Sequence, residues 1–260
     1  MKQWMTLYNK EMLEMARTAK WLWLPLVFVA LGIMQPVTTY YMPQLLKSMG
    51  GLPEGAVIEI PVPSPPEVLV NALSQFSSVG VLILVLASMA AVSGERASGV
   101  AAMIMMKPVP HASFITAKWA GLLTLTLVSF AAGFGGAWYY TELLFGPVKP
   151  ARAVEGFLVY ALWLAVIVTI TLLLSSALKA NGAIAFLAVG STLALSITSG
   201  LFAKTLSWSP GSLSAHAGAL LLEGKGNTGF AGSLALSGLL VAALLAAAVA
   251  VFKRKPLTPA

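Results

Sequence analysis

Ser93-Gly94-Glu95-Arg96-Ala97-Ser98-Gly99-Val100-Ala101-Ala102-Met103-Ile104-Met105-Met106-Lys107-Pro108 is a short charged interruption between two strongly apolar stretches. Each flank, Asn71 to Val92 upstream and Trp119 to Tyr140 downstream, is long enough to cross a bilayer. The interruption therefore has to lie at a membrane face.

A hydrocarbon core of about 30 Å needs roughly 20 helical residues. Applied to the whole chain, that length picks out six stretches: Trp21 to Tyr41, Asn71 to Val92, Trp119 to Tyr140, Val154 to Leu178, Gly182 to Phe202 and Ala231 to Phe252. Composition agrees, with 58% hydrophobic and 10% charged residues and a mean hydropathy of +0.86, where a soluble domain carries roughly a quarter charged residues. The expected fold is all-α and polytopic, with six transmembrane helices in one membrane domain at 21–252, an interfacial amphipathic helix at 1–20 and a basic tail at 253–260. The two long connections, Met42 to Val70 and Ala203 to Phe230, show no recognisable core of their own.

Loops near span ends carry their Lys and Arg excess on the cytoplasmic side. Six spans put both termini on one side, with Lys2, Lys10, Arg17, Lys20, Arg96, Lys107, Lys118, Lys179, Lys253, Arg254 and Lys255. The other side holds Lys47, Lys149, Arg152, Lys204 and Lys225. Both termini are therefore expected in the cytoplasm, and the net charge of +7 is a consequence of topology. No basic stripe is interleaved with aromatics, so the charge does not point to nucleic acid.

Cysteine is absent, which excludes disulfides, thiolate metal sites and thiol nucleophiles. The first apolar run leads into Gln35-Pro36-Val37-Thr38-Thr39-Tyr40 with no clear small-x-small cleavage site, so it is expected to stay as an anchor. Ahead of it, helical period puts Trp4, Tyr8, Met12, Met15 and Ala19 on one face and Lys10, Glu14 and Arg17 opposite. Such a helix is read as lying in the membrane interface, with or without a protein partner. Beyond the first span, Pro43, Pro53, Pro61, Pro63, Pro65 and Pro66, with Glu54, Glu59 and Glu67, predict an extended connector or a lid. Small residues such as Gly133, Gly135 and Gly136 in the third span, Gly182 and Gly190 in the fifth and Ala248 in the sixth predict close helix packing.

Catalytic constellations fail. His111 and His216 fall on opposite sides of the expected topology, and Ser214 beside His216 lacks a nucleophile elbow. Gly224-Lys225 is no phosphate-binding loop, because Gly226 stands where Ser or Thr is needed. No proton relay is present inside the spans, which weakens an ion-coupled carrier.

At helical period Ala97, Val100, Ala101, Ile104 and Met105 share a face, Glu95, Arg96 and Ser98 crowd the first turn, and Pro108 and Pro110 stop the helix. The methionines Met103, Met105 and Met106 offer an adaptable apolar surface suited to a protein groove.

These elements resemble the permease subunits of ATP-binding-cassette exporters of the six-helix type 2 class. The resemblance rests on Glu95-Arg96-Ala97-Ser98-Gly99 after the second span, Lys107-Pro108-Val109-Pro110, Lys118 leading into the third span, and the amphipathic helix before the first. Ala101 stands where many relatives carry another acid. The resemblance implies that the segment is a coupling helix seated in a cleft of a separate ATPase subunit, which would hold ATP and Mg. It makes Glu95, Arg96, Ser98, Gly99, Val100, Met103 and Lys107 the expected contacts, with Arg17 and Lys20 behind them. Six spans make half a transporter, so a second permease copy or a related permease is implied, in a bacterial cell membrane. The competing reading is a non-transporting scaffold or sensor that engages a cytoplasmic partner. The residues do not choose a substrate.

Overall fold

The computed structural model describes residues 2–48 and 63–255. Pro53, Glu54, Glu59 and Pro61 of the expected outer connector lie outside the described residues, as do residues 256–260 of the basic tail. Every regular element among the described residues is helical.

Six helices are long and apolar enough to cross a membrane: Lys20–Gln44, Pro65–Ala97, His111–Phe145, Pro150–Ala177, Asn181–Leu201 and Phe230–Arg254. They coincide in order and number with the stretches read from the sequence, but several start earlier or end later. The first span belongs to α2, Lys20–Ser48, which continues through Pro25, Pro36 and Pro43, so Pro43 sits in a helix and not in the connector. Before it, α1 covers Lys2–Arg17. The second span starts at Pro65 because Ser64-Pro65-Pro66-Glu67 is a helix start: two prolines occupy the first turn, where no N–H is missed, and the Ser64 N–H donates to Glu67 at 2.6 Å. That span is built from α3, Pro65–Gln75, a π-helical turn at Phe76–Gly80, α4, Val81–Ser88, and α5, Ser93–Ala97.

After α5 comes α6, Val100–Met105, and then α7, His111–Phe145, α8, Pro150–Ala177, and α9, Asn181–Leu201. The connection to the last span contains α10, Leu213–Glu223, and the last span is α11, Phe230–Arg254. That connection forms no separate domain, yet it is more than a tether. Leu213, Ala217, Leu220 and Leu221 recur at helical period, are buried, and bring α10 against Gly156 of α8, where a side chain would overlap Leu221.

The helices alternate in direction. Lys20 reaches the Ala87 carbonyl at 2.9 Å, Arg96 reaches the Ser176 carbonyl at 2.8 Å, and Phe114 stacks on Phe252 with centroids 5.0 Å apart. One end of the bundle therefore gathers the start of α2, the end of the second span, the start of α7 and the ends of α8 and α11. We call it the basic end. At the other end Tyr40 meets Phe145, and Arg152 donates to the Leu222 carbonyl at 2.8 Å.

Buried residues concentrate on α8, where Trp163, Leu164, Val166, Ile167 and Val168 are all enclosed, so this helix is the axle of the bundle. Beside it Phe76 of the π turn, Phe130, Phe157 and Tyr160 form an aromatic core with centroids 5.0–5.4 Å apart. The α2–α7 pair closes on glycine, since a side-chain carbon on Gly32 would overlap the Gly133 carbonyl and one on Gly133 would overlap Phe28. Gly136 packs on Ile33, whereas Gly135, Gly182 and Gly190 face open space. The small-residue pattern thus marks a real helix contact in the third span and not in the fifth.

Candidate functional site

Helix α7 is 35 residues long, or about 52 Å at the helical rise, well beyond the roughly 30 Å of a hydrocarbon core. Its first turns provide a wall for α1. The Trp4 indole N–H donates to Thr116 at 3.0 Å, the Tyr8 and Thr124 hydroxyls are 3.1 Å apart, and a side chain at Gly121 would crowd Glu11, Met12 and Met15. The apolar face of α1 is therefore turned toward α7. Ala19, expected on that face, is instead exposed in the turn to α2, with φ of 54°.

Glu11 lies on the same inward face, and it does not lie there unpaired. Lys118 of α7, 1% exposed, donates to both Glu11 oxygens at 2.9 and 3.0 Å and pairs with Glu95 Oε1 at 2.9 Å, above the Phe114 ring. Lys10 adds a second ammonium, 3.1 Å from Glu11, 2.8 Å from Glu14 and in contact with Glu95. Three carboxylates and two ammoniums from α1, α5 and α7 thus form one cluster. A buried lysine without partners would be strongly disfavoured, and these carboxylates offset the desolvation.

The charges shift accordingly. Burial alone would lower the Lys10 pKa, but Glu11, Glu14 and Glu95 outweigh it and hold the ammonium above the ordinary lysine range. Burial alone would raise the Glu14 carboxyl, but Lys10 and Lys118 outweigh it and hold it below the ordinary range. Oxygens of Glu11, Glu14 and Glu95 lie within 4.8 Å of one another. Two ammoniums already sit among them, so a divalent cation would have to displace Lys10, and the arrangement works as an ion-pair network.

The loop after the second span is not one helix. Gly99 has φ of 76°, a left-handed conformation that ends α5 and begins α6, and it breaks the continuous helix expected from the period. Upstream, the Val92 and Ser93 N–H groups donate to Ser175 at 3.0 and 3.1 Å and the Ser93 hydroxyl donates to Asn181 at 2.8 Å, fixing the loop to the end of α8.

The residues singled out from the sequence divide into two groups. Glu95 and Arg96 are 6% and 8% exposed and point into the protein, Glu95 to the ion cluster and Arg96 to the end of α8. Ser98 and Lys107 are exposed, Val100 and Gly99 are half-buried, and Met103 and Met106 stand out at 66% and 82% exposure. Ala101 is fully buried and Ile104 and Met105 lean on the core, so α6 turns one face inward and shows its methionines outward. Arg17 is exposed beside this region and Lys20 is tied to Ala87. Glu11, Ser175 and Asn181 were missed. For Glu11 a signal existed: an acid in register with Trp4, Tyr8 and Met15 on an otherwise apolar face.

At the opposite end a mainly apolar groove of about 640 Å³, lined by Val70, Leu73, Leu193 and Leu222, carries the hydroxyls of Ser74, Ser77, Ser78, Ser196 and Ser214. Its floor adjoins the π turn, where Ser77 and Tyr160 hydroxyls are 2.8 Å apart and Tyr160 donates to the Leu73 carbonyl at 3.3 Å. The ring of His216 bonds the Ser207 carbonyl at 3.0 Å and not Ser214, so no dyad forms there. His111 is at the basic end, against Phe252.

No protein-family model matches the chain. It is 38% identical over 254 residues to a Bacillus subtilis (strain 168) protein described as the uncharacterized transmembrane protein YxlG, covering 98% of both chains. With six apolar helices, this makes the molecule a multi-pass membrane protein.

Proposed function

The chain belongs to the family of the transmembrane protein YxlG, and we propose that it is the permease subunit of an ATP-binding-cassette exporter. In this reading it works in a bacterial cell membrane with both termini cytoplasmic, beside a second permease copy or a related permease. A separate subunit binds ATP and Mg and docks on the loop at the basic end.

The observation that carries this reading is the ion cluster, because it ties α5, from which the loop with α6 continues, to α1 and α7 through buried charge. A loop that only connected two spans would need no such tie. Met103, Met106 and Lys107 supply the outward, adaptable surface for the partner. Closure of the ATPase pair would push on α6, and the stiff junction of Glu95, Glu11 and Lys118 would pass that displacement to α7 and so to α2, which is locked to α7 at Gly32 and Gly133. ATP binding would thereby bias two packings of the spans. The groove at the other end supplies an apolar surface dotted with serine hydroxyls along the route a substrate would take.

Copurification of the tagged chain from its own membrane tests this. A stoichiometric subunit with a P-loop is expected, and its capture should be lost in Met103→Asp. Recovery of the chain with no ATPase, together with protease protection unaltered by ATP, would refute the proposal and favour the scaffold reading.

A further inference from the structure

We propose that the cleft between α1, the first turn of α2 and the loop after the second span binds a phosphate-bearing anion, of the kind carried by an acidic phospholipid headgroup. The cleft has a volume of about 550 Å³ and is lined by Lys10, Glu14, Arg17, Thr18, Lys20 and Ser98, among others. Three of these are cationic. Glu95 also reaches it, but Glu14 and Glu95 are already matched by Lys10, and Glu95 by Lys118 from behind.

Arg17 is a different case. It is exposed, and none of the ion pairs among the described residues includes it. Its planar fork is suited to two phosphate oxygens at once. Lys20 gives one donor to the Ala87 carbonyl and keeps two more for a ligand. The cationic wall of the cleft therefore keeps free donors at Arg17 and Lys20, whereas the carboxylates facing it are engaged by Lys10 and Lys118, with only the enclosed Glu95 Oε2 left without a hydrogen-bond partner.

Depth favours a lipid as the source. Lys20 is the first residue of the first span, and Ala90 and Ala91, on the facing wall, stand just before Val92, where the apolar run of the second gives way to Ser93-Gly94-Glu95-Arg96. The cleft thus lies where headgroups lie. On the next turns of α2, Leu22 and Leu26 are 68% and 61% exposed and Trp23 is also exposed, which supplies an apolar strip for an acyl chain. Basic pockets between spans on the side rich in Lys and Arg are suited to acidic headgroups. This assigns Arg17 and Lys20 to a ligand other than the ATPase, and it stands whether or not the transporter reading does.

The test uses the full chain in phosphatidylcholine nanodiscs containing a minor share of phosphatidylglycerol, with retained lipid counted by native mass spectrometry. The wild-type chain should keep phosphatidylglycerol in preference to phosphatidylcholine. Arg17→Gln and Lys20→Gln should each reduce retention about five- to tenfold, while Arg17→Lys keeps part of it and Lys149→Gln and Lys225→Gln at the opposite end change nothing. A second arm offers inorganic phosphate to the chain in phosphatidylcholine alone. Arg17-dependent binding of phosphate there, and its displacement of phosphatidylglycerol when added to the mixed nanodiscs, would support the site and identify a soluble ligand. Equal lipid retention by wild type and Arg17→Gln, with no phosphate bound, would overturn the proposal. So would an Arg17→Gln chain that keeps its lipid and loses only a captured ATPase.

Discussion

Replacing Lys118 by Met removes the one fully enclosed cation of the cluster and leaves Glu11 and Glu95 facing each other across its place. Removing one partner of a buried ion pair costs about 3–5 kcal/mol, because the remaining charge stays desolvated. Lys10 still touches both acids, but its side chain is 33% exposed, so solvent screens its compensation and only part of the loss is recovered. A destabilisation of about 3 kcal/mol is expected, more than two decades in the unfolding equilibrium. The measurement is reversible denaturation in mixed micelles, followed by tryptophan fluorescence, with the double variant Glu11→Gln/Lys118→Met as the companion. Removing the acid as well should restore about 1 kcal/mol or more, since the residues are in contact and their effects are not additive. If Lys118→Met denatures like the wild type, or the double variant equals the sum of the single ones, the cluster does not hold α1, α5 and α7 together.

Gly99→Ala should destabilise the loop by about 1 kcal/mol through its left-handed φ alone, because open space surrounds the position; hydrogen exchange at α6 reads this directly, and unchanged exchange would refute it. Met103→Asp should leave membrane insertion intact and abolish substrate-stimulated ATPase activity in membranes that contain both subunits, and unchanged stimulation would remove α6 from the coupling path. Glu14 has a lowered pKa in the folded protein, so its contribution is present above the ordinary carboxylate range and is lost as pH falls through the folded value; Glu14→Gln should flatten the acid limb of a pH–stability curve, and an unchanged limb would show that Glu14 is not its source. Cysteines at Ser98 and Ser64 should label from the cytoplasm and from outside respectively, and the reverse pattern would invert the topology.

Six spans were legible because long apolar runs leave few alternatives, and the helical interruption at Glu95 to Lys107 was legible from its charge and flanking prolines. Several features were not. The period of the loop continues through Ser98 and Gly99 as if helical, and only the backbone shows that Gly99 turns the chain. The Ser64-Pro65-Pro66-Glu67 start was hidden in a stretch read as connector because proline was counted as a breaker, although at the first turn it is tolerated. Lys118 and Glu95 stood out as charges beside spans, but their partner Glu11 is remote in sequence, and charge pairing across such separations has no local signature. The π turn at Phe76–Gly80 likewise has no periodic mark, since it inserts a single residue's worth of offset into an apolar run.

The Gly32–Gly133 contact sets an order on biogenesis. The first span meets its closest mate only after the second has been threaded and most of the third has left the ribosome. Until then the bare face around Gly32 is open to lipid and to quality-control proteases. A nascent chain arrested before the third span has left the ribosome should therefore be short-lived, and one arrested far enough beyond Phe145 for that span to emerge should persist.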